Sequence, residues 1–471
     1  MESWGRLMLV LLGIGLLGGC QIPGNPNVNV AHDPANPATF NAFQSEQSIV
    51  RTVLPDGSRM LVMGYQDSTS QTTMGSDGRP AFIPNYSLMG LSTSMDDGTS
   101  WFRQPQFATP PGLTALRGDP WLATNGSEVW YVFLGGTGVP DAVTGAVSPN
   151  SIAYAHSSTG GLFWDPIEWV QRPYPIDKCS VAVSDDGWDV YVAYVNTNTR
   201  LVEVLVSNDA GGSWNVRLIP PSFPMETHQN PIVHVVPGSM NESYIAYQVA
   251  RQGAQHVAVA RSTDDGGVFT VVNDQVDPMG ILPALFLNAA NGLRIRNFVF
   301  QHFAIQPGSG QLFVAYEDRS TIYVQSSPDG VVWSSPVVVT PPSTRRQFQP
   351  SIAASEARIG VLFYEQGSAV SADRAQTVVI GASSSDGVSW VSDVVSLTPP
   401  AGAVPFEPCP TGTGASPGYF GDYVGLVPLA RPGDQSPNLL FFGAWADSRD
   451  GCLVTDRFMA IHHHTVGTRF L

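Results

Sequence analysis

DKCSVAVSDDGWDVYVAYVN, from Asp177 to Asn196, sets a polar residue before a short apolar run, turns at Asp186-Gly187, and closes on a second apolar run ending in Tyr194. Two such runs around a Gly or Asp turn read as a pair of antiparallel strands. The same pattern opens at Gln44, Arg117, Asp177, His228, Phe300, Phe348 and Phe420. Taking the polar residue ahead of each first run (Glu46, Asp119, Lys178, Asn230, His302, Gln349 and Asp422), the steps are 73, 59, 52, 72, 47 and 73 residues. Steps of that size are too long for a helical solenoid and suit four short strands with their loops. The expectation is an all-β chain folded as a seven-bladed β-propeller.

A second motif falls between these copies. It reads SMDDGTSW from Ser94, SSTGGLFW from Ser157, SNDAGGSW from Ser207, STDDGGVF from Ser262, SPDGVVW from Ser327 and SSDGVSW from Ser384. An Asp side chain accepts backbone N–H bonds within a tight turn, and Gly supplies the positive φ such a turn needs. The aromatic residue that follows can bury a large ring between neighbouring sheets. The motif resembles the Asp-box (BNR repeat) of sialidase-like β-propellers, and that resemblance implies that each box joins the third and fourth strands of a blade. It also implies an alternative of six blades, the number in sialidases.

Composition agrees with many short strands and turns around aromatic cores. The chain of 471 residues has 47 Gly, 38 Pro, 11 Trp and 14 Tyr, with 13% charged residues. No amphipathic helix of useful length stands out. At the N-terminus, MESWGRLMLVLLGIGLLGGC places Arg6 before an apolar stretch of signal-peptide length. Leu17-Gly18-Gly19-Cys20 resembles a bacterial lipobox, so residues 1–20 read as a lipoprotein signal and Cys20 as the lipidation site. That resemblance implies a protein outside the cytoplasm, membrane-anchored through lipid alone, with Gln21 after the cysteine suggesting the outer membrane of a Gram-negative bacterium. Residues 21–43 form a Pro/Asn-rich tether whose Asn27–Ala31 portion could supply the outer strand of the last blade, and the propeller occupies 44–471.

Of four cysteines, Cys409 precedes the first strand of the last copy and Cys452 follows its second, so antiparallel pairing brings them to one edge. An oxidising compartment would let them bond, leaving Cys179 as a small buried residue. Net charge is −16 and Lys178 is the only lysine. That balance argues against nucleic acid or an anionic lipid surface as a partner, and the partner that the sialidase and lipobox resemblances imply is an extracellular glycan or an envelope protein.

In a propeller, the start of each first strand and the end of each second open on one face around the channel. Starts contribute Glu46, Asp119, Lys178, Asn230, His302, Gln349 and Asp422, with Tyr423 as the one strand-start tyrosine; ends contribute Asp67, Arg251, Glu317, Asp318, Arg319, Glu365, Asp447 and Arg449. Clustered carboxylates with arginines can bind a sugar acid, perform acid/base chemistry on a glycosidic bond, or hold Ca²⁺. No motif identifies a metal centre or another cofactor, and no phosphate loop, Cys-x-x-Cys pair or Gly-x-Ser-x-Gly elbow occurs.

The sialidase resemblance implies that Arg251, Arg319 and Arg449 grip a carboxylate, assisted by Glu46, His302, Asp422 and Asp447. It implies Tyr423 or a nearby acid as nucleophile, with Glu365, Asp67 or Asp119 as acid/base. The chain departs from the sialidase pattern in lacking an Arg-Ile-Pro motif near the first blade and in carrying Gln349-Pro350 where Tyr-Ser is expected. Those departures favour a non-catalytic binder over a retaining exo-glycosidase.

Overall fold

The computed structural model describes residues 28–29, 44–67, 72–74, 80–82, 86–138, 147–239, 241–251, 253–277, 286–288, 294–296, 301–318, 320–341, 345–366, 377–396, 422–429, 441–447, 453–455, 458–460 and 464–470. Among them every regular element is a strand. The first sheet runs Gln44–Val53, Arg59–Asp67, Met89–Ser94 and Phe102–Arg103. The second runs Ala115–Thr124, Val129–Gly136, Ser151–Ser157 and Glu168–Gln171, with Tyr86–Ser87 added parallel to its first strand. The third is Ile176–Val183, Val190–Asn196, Leu201–Ser207 and Asn215–Leu218, and the fourth is Thr227–Val235, Ser243–Arg251, Ala254–Ser262 and Thr270–Asn273. The fifth is His302–Ile305, Leu312–Asp318, Thr321–Ser327 and Val337–Val338; the sixth is Arg346–Ala354, Ile359–Gln366, Thr377–Ser384 and Val391–Val394.

The four up-and-down strands of each of these six sheets come from one stretch of chain, and only the added Tyr86–Ser87 of the second sheet comes from outside it. A further, composite sheet joins Gly425–Pro428, Phe441–Asp447 and His464–Phe470 to Val28–Asn29, which pairs antiparallel across Val28↔Gly467. The first strands neighbour one another around a ring, and Gln44–Val53 meets both Ala115–Thr124 and Gly425–Pro428. The architecture is an all-β propeller. Each gap between neighbouring sheets holds its own apolar cluster, such as Trp130 with Tyr194 and Tyr191 with Tyr247. Cys20, Cys409 and Cys452 lie outside the described residues; Cys179 is a buried free thiol.

Every S-x-D-x-G turn joins the third and fourth strands of its sheet. In the third sheet, Ser207 Oγ donates to Asp209 Oδ1 at 2.7 Å and accepts from Gly211 N–H at 2.8 Å. Asp209 in turn accepts from the Ser213 N–H at 2.8 Å and hydroxyl at 2.7 Å. Hydrogen bonds from Ser213 and Ser207 hold this carboxyl below the ordinary carboxylate range. The glycine of each turn lies against the preceding sheet, where a Cβ would meet Phe442 from Gly98, Val62 from Gly161, Trp130 from Gly211, Tyr191 from Gly266, Tyr244 from Gly330 and Phe313 from Gly387. The turns therefore cap their own sheet and clasp the one before it.

Candidate functional site

The channel is shaped by a repeated irregularity in the innermost strands. Glu46, Asp119, Lys178, Asn230 and Gln349 have φ of 56, 51, 53, 45 and 50°, in the left-handed region. Each coincides with a break in register: between Ser45 and Ser48, Gly118 and Trp121, Asp177 and Ser180, Gln229 and Ile232, and Phe348 and Ser351. These are β-bulges, which re-aim a side chain out of the ladder. A left-handed non-glycine residue costs roughly 1–2 kcal/mol, and here the conformation recurs in five sheets at the position that faces the axis.

The re-aimed side chains are buried and meet across the axis. Lys178 Nζ of the third sheet contacts Asp422 of the composite sheet and lies 3.6 Å from Asp119 Oδ1. The Lys178 N–H donates to Asp119 Oδ2 at 2.9 Å. Asn230 Nδ2 donates to the Gln301 carbonyl at 3.1 Å, and Gln301 Nε2 returns a bond to the Asn230 carbonyl at 2.7 Å. Burial opposes the Lys178 charge, but Asp119, Asp422, Glu46 and Asp177 together hold the ammonium protonated well above its ordinary range. Asp177 is pushed up to about 6, first by burial and then by Asp119. Among the described residues no group of three or more His, Cys, Asp or Glu is placed to hold a metal ion.

Beneath this ring an aromatic partition crosses the channel. Trp121 stacks on His302 with ring centroids 5.8 Å apart and lies 5.2 Å from Tyr423, so three non-adjacent sheets meet at one indole. The Tyr423 hydroxyl donates to the Pro120 carbonyl at 2.9 Å. His302 Nδ1 accepts the Ile352 N–H at 3.3 Å, tying the fifth sheet to the sixth.

The residues singled out from the sequence separate into three groups. Glu46, Asp119 and Asp422 are brought together around Lys178, with Tyr423 and His302 in the aromatic partition below, both against Trp121. Asp67, Glu365 and Arg251 are engaged within their own parts of the ring. Arg103 Nη2 binds Asp67 Oδ2 at 2.5 Å, Gln347 Nε2 and Arg345 Nη1 bind Glu365 at 3.1 and 3.3 Å, and Arg251 reaches Asp274 and Gln275, each at 3.0 Å. Arg319 and Arg449 lie outside the described residues, as does the side chain of Asp447.

Sequence reasoning did not single out Trp121, Asp177, Gln301 or His234. The Asp119-Pro120-Trp121 order was the available signal for the first, since a bulky ring directly after a bulged polar residue is carried to the axis.

His234 Nε2 hydrogen-bonds the Phe303 carbonyl at 3.0 Å. Burial pushes His234 down to about 4 and, with His234 beside it, His302 down to about 3. An unfolded imidazole takes up its proton near pH 6.5, so the stability these residues confer is present above that pH and is lost as pH falls toward 4. Asp177 acts in the opposite sense, because its raised pKa favours the fold as pH drops from about 6 toward 4. His228, which burial also lowers, is expected to act with these two histidines to reduce the urea midpoint between pH 6.5 and 4.5, and Asp177, Asp189 and Asp277, which burial raises, to oppose it. His302→Asn should flatten that profile.

No family model matches this chain, and no curated protein does. Among solved structures it is similar to a protein of unknown function from Dyadobacter fermentans, at 15% identity over 79% of this chain and 100% of that one, with a TM-score of 0.46. It is similar to the NanB sialidase of Streptococcus pneumoniae, at 10% identity over 79% of this chain and 71% of that one, TM-score 0.45. It is also similar to the BP39L lectin of Burkholderia pseudomallei, at 14% identity over 89% and 98%, TM-score 0.46. The likeness is one of fold alone.

Proposed function

We propose that this chain is a sialidase-like propeller, anchored outside the cytoplasm through Cys20, that binds a glycan or another extracellular ligand at the polar mouth of its channel without cleaving it. The observation that carries this reading is the engagement of the groups chemistry would need. A general base must reach the proton it removes, whereas Asp67 is held by Arg103 and Glu365 by Gln347 and Arg345. A tyrosine nucleophile needs an adjacent base, whereas the Tyr423 hydroxyl donates to a backbone carbonyl. The channel also holds Asp119, Lys178 and Asp422, buried and paired with one another beside the indole of Trp121, and these are the polar groups that a ligand entering the channel would meet.

The test pairs a glycan array with turnover assays on an aryl sialoside and an aryl uronide. The expected result is array binding without turnover, with binding weakened by Asp119→Asn and nearly unchanged in Tyr423→Phe. Turnover by the wild type that is abolished in Tyr423→Phe would instead establish a retaining glycosidase of sialidase type.

A further inference from the structure

The channel continues below the Trp121–His302 partition as a cavity of about 300 Å³, walled by the second halves of the first strands and opening toward the face of the S-x-D-x-G turns. First strands of all the sheets contribute to its wall, so its dimensions are set by the ring as a whole. The volume has room for about ten waters and stands at the lower end of small-molecule sites. We propose that this lower half of the channel is a second binding site, for a small neutral aromatic molecule of the phenol class, distinct from the polar mouth.

The wall defines the ligand. Trp121 and His302 present stacked rings at the inner end, 23° from parallel, and flat aromatic surfaces favour an aromatic guest in offset or edge contact. The two imidazoles fix the polar pattern. Both are neutral at pH 7, since burial lowers them to about 4 and about 3. His234 donates from Nε2 to the Phe303 carbonyl, which leaves its Nδ1 as an acceptor. His302 accepts at Nδ1 from Ile352 N–H, which leaves its proton on Nε2 as a donor, 3.5 Å from Ser351 Oγ. A ligand hydroxyl can donate to His234 Nδ1 and share the His302 Nε2 proton with Ser351 Oγ, in a wall that also carries Gln47, Ser48 and Thr124, and a group that both gives and takes a hydrogen bond suits that pair.

Charge narrows the class further. Asp185 stands at the rim with its Oδ2 taking the Gly238 N–H at 2.7 Å, so an anion meets a carboxylate on entry. Neither imidazole inside carries a charge to compensate a bound ion.

The site shares only Trp121 with the glycan reading, because none of its wall belongs to the polar ring of Glu46, Asp119, Lys178 and Asp422. The experiment titrates 4-methylphenol into the full chain at pH 7 by calorimetry, with benzoate as the anionic comparison. One saturable site per chain is expected, with benzoate at least about tenfold weaker. Removing the acceptor in His234→Leu should weaken 4-methylphenol by up to about tenfold, the size of one hydrogen bond. Val235→Trp, at the half-exposed part of the wall, should abolish binding while leaving the melting transition cooperative, and it carries the test if the histidine variant fails to fold. Absence of saturable heat with the wild type, equal binding of benzoate, or undiminished binding in a folded Val235→Trp would overturn the proposal.

Discussion

Replacing Lys178 with Met is expected to lower the unfolding free energy by about 3–5 kcal/mol, the range for removing one partner of a buried ion pair. Lys178 is 6% exposed and faces Asp119, Asp422, Glu46 and Asp177. Without the ammonium, several carboxyls would share a channel from which water is largely excluded, and each would resist ionisation. The variant should therefore regain stability as pH is lowered from 7 to 5, since protonating those carboxyls removes the repulsion. Adding Asp422→Asn to Lys178→Met should recover part of the loss at pH 7. Urea unfolding at both pH values checks this, and an unchanged midpoint in the single variant would show that the lysine contributes no net stability.

The second large effect is expected at Gly98. Its φ is +86°, and a Cβ there would overlap Cε2 of Phe442. A left-handed alanine costs roughly 1–2 kcal/mol and an overpacked core contact roughly 1–3 kcal/mol, so Gly98→Ala should lose about 2–5 kcal/mol. Gly57 separates the two contributions, because its φ is +82° and a methyl added there would meet nothing within 4 Å. Gly57→Ala should lose the backbone part alone. Phe442→Leu in the Gly98→Ala background should recover stability if the clash dominates. Thermal unfolding of the wild type and these three variants decides between strain and packing.

Much of the architecture is legible in the sequence because its signals are local. A polar residue ahead of an apolar run marks the inner strand, and the same residues, Glu46, Asp119, Lys178, Asn230 and Gln349, occupy the bulges. The S-x-D-x-G turns are equally local, since every hydrogen bond of the Asp209 turn lies within six residues. The channel was less legible because its contacts join distant stretches. Lys178 and Asp422 are 244 positions apart, and Tyr423 and Pro120 are 303 apart. Reading His302 as the polar start of its strand was natural, yet Gln301 pairs with Asn230 while His302 serves as the tie to Ile352. Strand ends such as Asp67 and Glu365 look like catalytic acids by residue type, and only their arginine partners reveal the competing role.

The composite sheet imposes an order in time. Because Val28 pairs with Gly467, the ring has to wait for residues from opposite ends of the chain, while the six preceding sheets can form from contiguous segments. Such long-range pairing places folding among the slow, high-contact-order cases, roughly milliseconds to seconds or longer. Until closure, the arc exposes the apolar face of a sheet at each end, the condition that makes partly folded β chains prone to self-association. The strand Val28–Asn29 thus acts on the lifetime of that vulnerable arc, and weakening its pairing should reduce folding yield at high protein concentration before it measurably changes the stability of the closed ring.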